Sequence, residues 1–316
     1  MTVMQRRHFL VCAASALGGP ALAAEDPTWL DVARSRSLPL RVRWPDGDGP
    51  CALIVHSHGL GGSREGGDRW GRAWQQAGFA VLHVQHAGSD TDVLRSGMRA
   101  LRAAANAEQL LARVADMRFV VDEITRRSQQ REPGWSRVRL DAIGASGHSF
   151  GASTVLALAG QRFAITTKGR PEPRFKAFIA LSPSPGPVGA ESGFADVRRP
   201  MLLLTGSLDA DALGRGITGA DRAAVYDGLP AGQRALLWLH DADHMTFAGN
   251  AEQRLRARFG PLKREPVAAD LEALHQDRVA AITTLWWKAR LQDDATSAAA
   301  LRAPPGLGAQ DRWRMD

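Results

Sequence analysis

Five near-continuous apolar runs constrain this chain most: ALIV at 52–55, FAVLHV at 79–84, FKAFIAL at 175–181, MLLLTG at 201–206 and ALLWLH at 235–240. They lack the alternation of a half-exposed strand and suit strands covered on both faces. Strands are predicted at Leu40 to Trp44, Cys51 to Ser57, Phe79 to Gln85, Leu140 to Ser146, Phe175 to Leu181, Met201 to Thr205 and Ala235 to His240. Between them Leu110, Val114, Met117, Val121 and Ile124 recur at helical spacing. A closing helix is predicted from Asp270 to Leu291, with Leu271, Leu274, Ile282 and Trp286 on its buried side. Strands alternating with helices predict an α/β fold: a mostly parallel central sheet with helices on both faces. No fixed-period repeat and no Pro/Gly linker divides the chain. One domain is expected over residues 25–292, followed by a loosely held C-terminal tail, 293–316.

Residues 1–24 read as an export signal. Arg6 and Arg7 precede an apolar stretch from Phe9 to about Leu22 and a small-residue ending, and RRHFL resembles the twin-arginine type although Gln5 and Val11 depart from its usual flanks. Gly and Pro interrupt the segment, which is too short for a membrane anchor. Cys12 lacks the small preceding residue of a lipoprotein signal. The expected location is periplasmic or secreted, without stable membrane insertion after cleavage. The mature chain keeps Cys51 alone, a small core residue, so no disulfide is expected. Loss of Arg6 and Arg7 takes the formal charge from +7 to +5. Arginines scattered among acids, with no basic cluster interleaved with aromatics, argue against nucleic-acid binding.

The chemistry is carried by GASGHSFGAS, residues 144–153, where a strand runs into a helix. Gly147, His148, Ser149, Phe150 and Gly151 have the G-x-S-x-G form of a nucleophile elbow, in which flanking glycines admit a turn too tight for side chains. A serine hydroxyl needs a base, and the base needs an acid to orient it. In this architecture both follow the serine, each after a later strand. Asp209, after PMLLLTG, is the preferred acid, and His244, in DADHMTF, the preferred base. Asp211 and His240 compete with them; Asp211 is expected to be solvated and His240 to be a core histidine. Asp241 and Asp243 are expected to be solvated loop residues.

A tetrahedral oxyanion needs two backbone N–H donors. Phe150, next to the nucleophile, supplies one, and Leu60, in the Gly-rich HSHGLGGSREGG, is the natural second. That loop fails as a phosphate cradle, because Arg64 interrupts G-x-G-x-x-G and no lysine follows. Pairs such as His56 and His58, or His83 and His86, lack a clustered third ligand, so neither metal nor organic cofactor is expected. His148 is expected to pack rather than to touch substrate. Trp70 and Trp74, at helical spacing, are expected in the core, and the long segment after Asp209 in part of a cap.

Taken in order, SHGLGG, HAGSD, GHSFGAS, TGSLDAD and DADHMTF resemble the α/β-hydrolase superfamily. The resemblance is nearest to the bacterial dienelactone-hydrolase-like group, which also resembles platelet-activating-factor acetylhydrolases. It spans about Leu53 to about Phe247 and implies oxyanion donors at Leu60 and Phe150. Dienelactone hydrolases use a cysteine nucleophile, whereas position 149 is serine, which speaks against dienelactone cleavage itself. The implied activity is serine-dependent hydrolysis of a small-molecule or lipid ester through an acyl-enzyme. Two alternatives stand beside it: an extracellular polyester depolymerase, and a non-catalytic binding protein on the same fold.

Overall fold

The structure, a computed structural model, describes residues 26–163, 169–186, 193–211, 213–249 and 269–316. The expected export signal lies outside the described residues. The apolar runs form the middle of a nine-stranded sheet in the order β1-β2-β4-β3-β5-β6-β7-β8-β9. Its strands are β1 (Thr28–Asp31), β2 (Arg36–Arg43), β3 (Cys51–Ser57), β4 (Ala80–Val84), β5 (Val138–His148), β6 (Phe175–Leu181), β7 (Met201–Leu208), β8 (Arg234–Asp243) and β9 (Arg312–Met315). From β4 through β8 every neighbouring pair is parallel, while β1, β2 and β9 add antiparallel edges.

The helices are α1 (Asp68–Gln76), α2 (Thr91–Arg95), α3 (Met98–Ala104), α4 (Ala107–Gln129), α5 (Phe150–Ala159), α6 (Gly219–Ala223), α7 (Val225–Gly228), α8 (Ala269–Leu291) and α9 (Ala295–Ala300). Strand alternation divides the core between two faces. Leu53, Val55, Met201 and Leu203 join the cluster beneath α4 and α5; Ala52, Ile54, Leu202 and Leu204 join the one beneath α1 and α8. Both faces are covered, and this is why the central strands read as unbroken apolar runs. Trp70 and Trp74 of α1 are fully buried in the second cluster, as their spacing predicts. None of the described helices is long and apolar enough to cross a membrane.

The strand order reverses direction at β3: the chain passes to β4 on one side, then to β5 on the other. Loops leaving the carboxyl ends of β3 and β5 therefore diverge and open a crevice between them. The Gly-rich loop after β3 and the elbow after β5 meet at that crevice.

Three expectations need correction. Leu274 is 44% exposed, and the buried side of α8 runs instead through Val279, Ile282, Trp286 and Trp287. His240 is not a core residue. β9 pairs with β8 only as far as Trp238, so His240 lies past the covered rungs, half-exposed, 3.2 Å from Asp241. The segment 293–316 is not loosely held. Trp313 Nε1 donates to Leu301 O at 2.8 Å, and Asp311 pairs with Arg278 at 2.9 Å. Asp316 accepts from Tyr226 Oη and Arg234 Nε, while Arg234 and Arg314 both stack on the Tyr226 ring. The sequence hid this because a four-residue strand with alternate residues exposed carries almost no apolar signal.

Removing residues 312–316 strips one side of β8 of its ladder and frees Tyr226. At about 1 kcal/mol per lost hydrogen bond, the truncated chain is expected to lose roughly 2–4 kcal/mol of stability, read as a lower denaturant midpoint.

Candidate active site

Ser149 sits between β5 and α5 with φ 55° and ψ −113°, a conformation that L-residues rarely adopt. The neighbouring glycines are required by contact. A Cβ on Gly147 would lie 2.3 Å from Gly151 O, and one on Gly151 would lie 2.0 Å from Ser57 O, at the end of β3. The turn therefore exists only where both positions lack a side chain, and it holds the hydroxyl out at the start of the ten-residue α5. Backbone N–H groups at that helix start favour negative charge in front of them.

His244 follows β8 and reaches back to the elbow. Its Nε2 is 2.9 Å from Ser149 Oγ, and its Nδ1 is 2.7 Å from Asp209 Oδ1. An ionised carboxylate only accepts, so Nδ1 carries the proton and Nε2 is left to accept from the serine. Asp209, just past β7, is fully buried; its Oδ2 accepts from Thr205 Oγ1 at 2.8 Å. Burial alone would raise this carboxyl, but the hydrogen bond from His244 and the charge of Arg222 outweigh it and leave it below its ordinary value. The structure thus brings Ser149, His244 and Asp209 into one hydrogen-bonded line. The competing acid, Asp211, does not join it. Contrary to expectation its side chain is not solvated: it is 4% exposed, and its carboxylate binds the backbone N–H and guanidinium of Arg215 and closes a local turn.

Sequence reasoning missed three supporting side chains. Arg222, on α6 and buried, has its Nε 3.0 Å from Asp209 Oδ1 and donates to the carbonyls of Asp209, Ser182 and Pro183. One guanidinium so fastens Asp209 to the end of β6. A lone arginine in a polar stretch gives no advance sign of this. Asp243 is buried rather than solvated. Its Oδ1 accepts from the N–H groups of Met245 and Thr246 and from Thr246 Oγ1, shaping the turn that carries His244. His148 donates from Nε2 to the carbonyl of His244 at 3.0 Å, with the two rings 4.8 Å apart. Burial, and then the neighbouring His244, pushes the His148 imidazole down to about 3, so it is neutral near pH 7.

The Gly-rich loop after β3 lies opposite the elbow. His58, Gly59 and Leu60 border a cavity of about 390 Å³ that also exposes Ser149, Phe150 and His244. Leu94, Met98, Leu101 and Leu110, from α2, α3 and α4, form an apolar wall on one side. Asp211 and Arg215, in the segment expected to contribute to a cap, also line the cavity. The histidine pairs of β3 and β4 are committed to the scaffold. His56 Nδ1 meets Ser146 Oγ at 2.8 Å, His83 Nδ1 donates to Gly66 O at 2.9 Å, and His86 bridges Ser57 Oγ and Asp116.

Strand order, direction and the placing of serine, acid and histidine after β5, β7 and β8 define an α/β-hydrolase fold. Among solved structures, that of a 2,6-dihydroxy-pseudo-oxynicotine hydrolase is similar, with a TM-score of 0.52 and 17% identity over 85% of this chain and 68% of that one. No family model matches the chain, and no curated protein sequence does.

The buried histidines set a pH dependence. Burial holds His83 and His86 down to about 4 and His148 to about 3, against about 6.5 in an unfolded chain. Their contribution is fully present above pH 6.5; as pH falls below it, the unfolded chain takes up protons that the folded one refuses. Stability is therefore expected to fall between about pH 6.5 and 4 by up to about 1.4 kcal/mol per pH unit for each histidine. Urea midpoints measured across that range check it, and His83→Gln should lower the slope by about one proton.

Proposed function

We propose that this chain is a serine hydrolase of carboxylic esters, exported through residues 1–24, with Ser149 as nucleophile, His244 as base and Asp209 as the acid that orients it. The observation carrying this reading is the hydrogen-bonded line from Asp209 Oδ1 through His244 to Ser149 Oγ, opening on a cavity. His244 Nε2 takes the serine proton as Oγ attacks the ester carbonyl. Asp209 stabilises the imidazolium, and the Leu60 and Phe150 N–H groups receive the oxyanion. The imidazolium then protonates the leaving alcohol. Water, deprotonated by the same imidazole, cleaves the acyl-enzyme and regenerates the serine.

The apolar wall of Leu94, Met98, Leu101 and Leu110 suits the acyl chain of the ester. The similar solved structure is named as a hydrolase; at 17% identity that likeness carries the fold, and the activity rests on the site.

Hydrolysis of p-nitrophenyl esters from acetate to palmitate by the chain lacking residues 1–24 tests the proposal. Ser149→Ala is expected to lower kcat by roughly 10⁴-fold or more with the fold intact. Asp209→Asn should be severely impaired and Asp211→Asn near normal. A folded Ser149→Ala variant that turns over at the original rate removes the serine from the mechanism, and a crippled Asp211→Asn reassigns the acid.

A further inference from the structure

We propose that Arg113 is a positioning residue of the oxyanion site: a buried cation that holds and polarises both donor residues from behind. The proposal rests on Ser149 acting as an ester nucleophile.

Arg113 stands on α4 within the apolar stripe that includes Leu110, Val114 and Met117, and its side chain is fully buried. Packing alone calls for an aliphatic residue at such a place, because a guanidinium taken out of water must be compensated. Its compensation is unusual. Nε donates to Ser89 Oγ at 2.8 Å, and Nη1 donates to His58 O at 2.7 Å and Ser57 Oγ at 3.5 Å. Nη2 lies between the neutral His58 ring, 3.1 Å from its Nδ1, and Gly59 O, to which it donates at 3.4 Å. Every one of these acceptors is neutral. Asp116 and Asp90 act on the guanidinium only from beyond ion-pair distance. Asp116 is also heavily engaged: its two oxygens accept from Arg34, Arg36 and His86.

The acceptors lead to the site. Gly59 O belongs to the same peptide unit as the Leu60 N–H. In a trans peptide, carbonyl and N–H point in opposite directions. His58 Nε2 accepts from the His86 N–H, so His58 Nδ1 carries the proton and donates to Gly59 O at 2.6 Å. With Arg113 and His58 both on the carbonyl side, the Leu60 N–H is turned the other way, toward the cavity that Gly59, Leu60 and Ser149 line together. A charge-assisted bond to the carbonyl also draws electron density from the peptide and strengthens its N–H as a donor. The same guanidinium lies 4.7 Å from the centroid of the Phe150 ring. One cation thus grips the residues that present both N–H groups. The charge that completes its compensation is the transient oxyanion, formed in front of those donors.

The test compares the wild-type chain with Arg113→Met, Arg113→Gln and Arg113→Lys on a p-nitrophenyl ester, with thermal unfolding to show that each is folded. Expected is a kcat lower by roughly 10²-fold in Arg113→Met, with KM nearly unchanged and partial recovery in Arg113→Lys. A trifluoromethyl ketone, which adds to the serine as a tetrahedral oxyanion, should lose affinity in proportion to kcat/KM across the series. A neutral alkanol of the same chain length should bind all variants equally. A folded Arg113→Met or Arg113→Gln with wild-type kcat, or a fall in kcat without loss of ketone affinity, overturns the role. If the Arg113 variants do not fold, Ser89→Ala, which removes the Nε acceptor together with a 3.3 Å bond from Ser89 Oγ to His86 O, should show a smaller fall in kcat at constant KM, and an unchanged kcat there also overturns it. Absence of serine-dependent turnover in the wild-type chain overturns the ester reading and this inference together; wild-type turnover that is indifferent to Arg113 overturns this inference alone.

Discussion

The approach of α5 to the end of β3 is the contact on which the site depends. A side chain on Gly151 would collide with Ser57 O, so the helix start and the strand end touch backbone to backbone. That approach puts the Ser149 hydroxyl beside the loop leaving β3, and the pairing of two adjacent strands sets the distance between them. Elsewhere the loops are tied to this pair. Arg222 ties Asp209 to the end of β6, Asp243 shapes the turn of His244, and His148 holds that turn against the elbow.

Beneath these loops lies a layer of neutral polar groups where most folds place aliphatic ones. His56, His83 and His86 lie on or just past the central strands, each hydrogen-bonded through a ring nitrogen. Burial keeps them uncharged near neutrality, so they fix loop geometry without adding charge to the region behind the serine. Two charges are buried with that layer: Asp116, met by Arg34 and Arg36, and Arg113, whose direct partners are neutral groups.

The sequence shows most clearly what is buried on both sides. β3 and β6 run over Cys51–Ser57 and Phe175–Leu181, as their apolar runs predict, because no exposed residue blurs either end. The edge strands β1 and β9 were hidden, since half their residues face solvent and neither exceeds four residues. Asp209 and His244 were legible because position after an apolar run is itself a signal. Their supports were not: the roles of Arg222 and Asp243 depend on where a helix and a turn finally sit. His240 was misjudged because β8 continues past its neighbour β9 and shifts register near Asp241, whose φ is 57°. Strand alternation then no longer says what covers a side chain.

The last strand has a consequence beyond the stability of its own rungs. A wide sheet ends in open N–H and C=O groups that invite a second molecule to add a strand. β9 closes that side of β8 with RWRM, in which Arg312 and Arg314 face solvent while Trp313 and Met315 pack inward. Arg312 and Arg314 lie over the Trp238 and Tyr226 rings, so a molecule adding a strand there meets two charges on one face of that edge. The same four residues that complete the sheet also discourage its extension into a fibre.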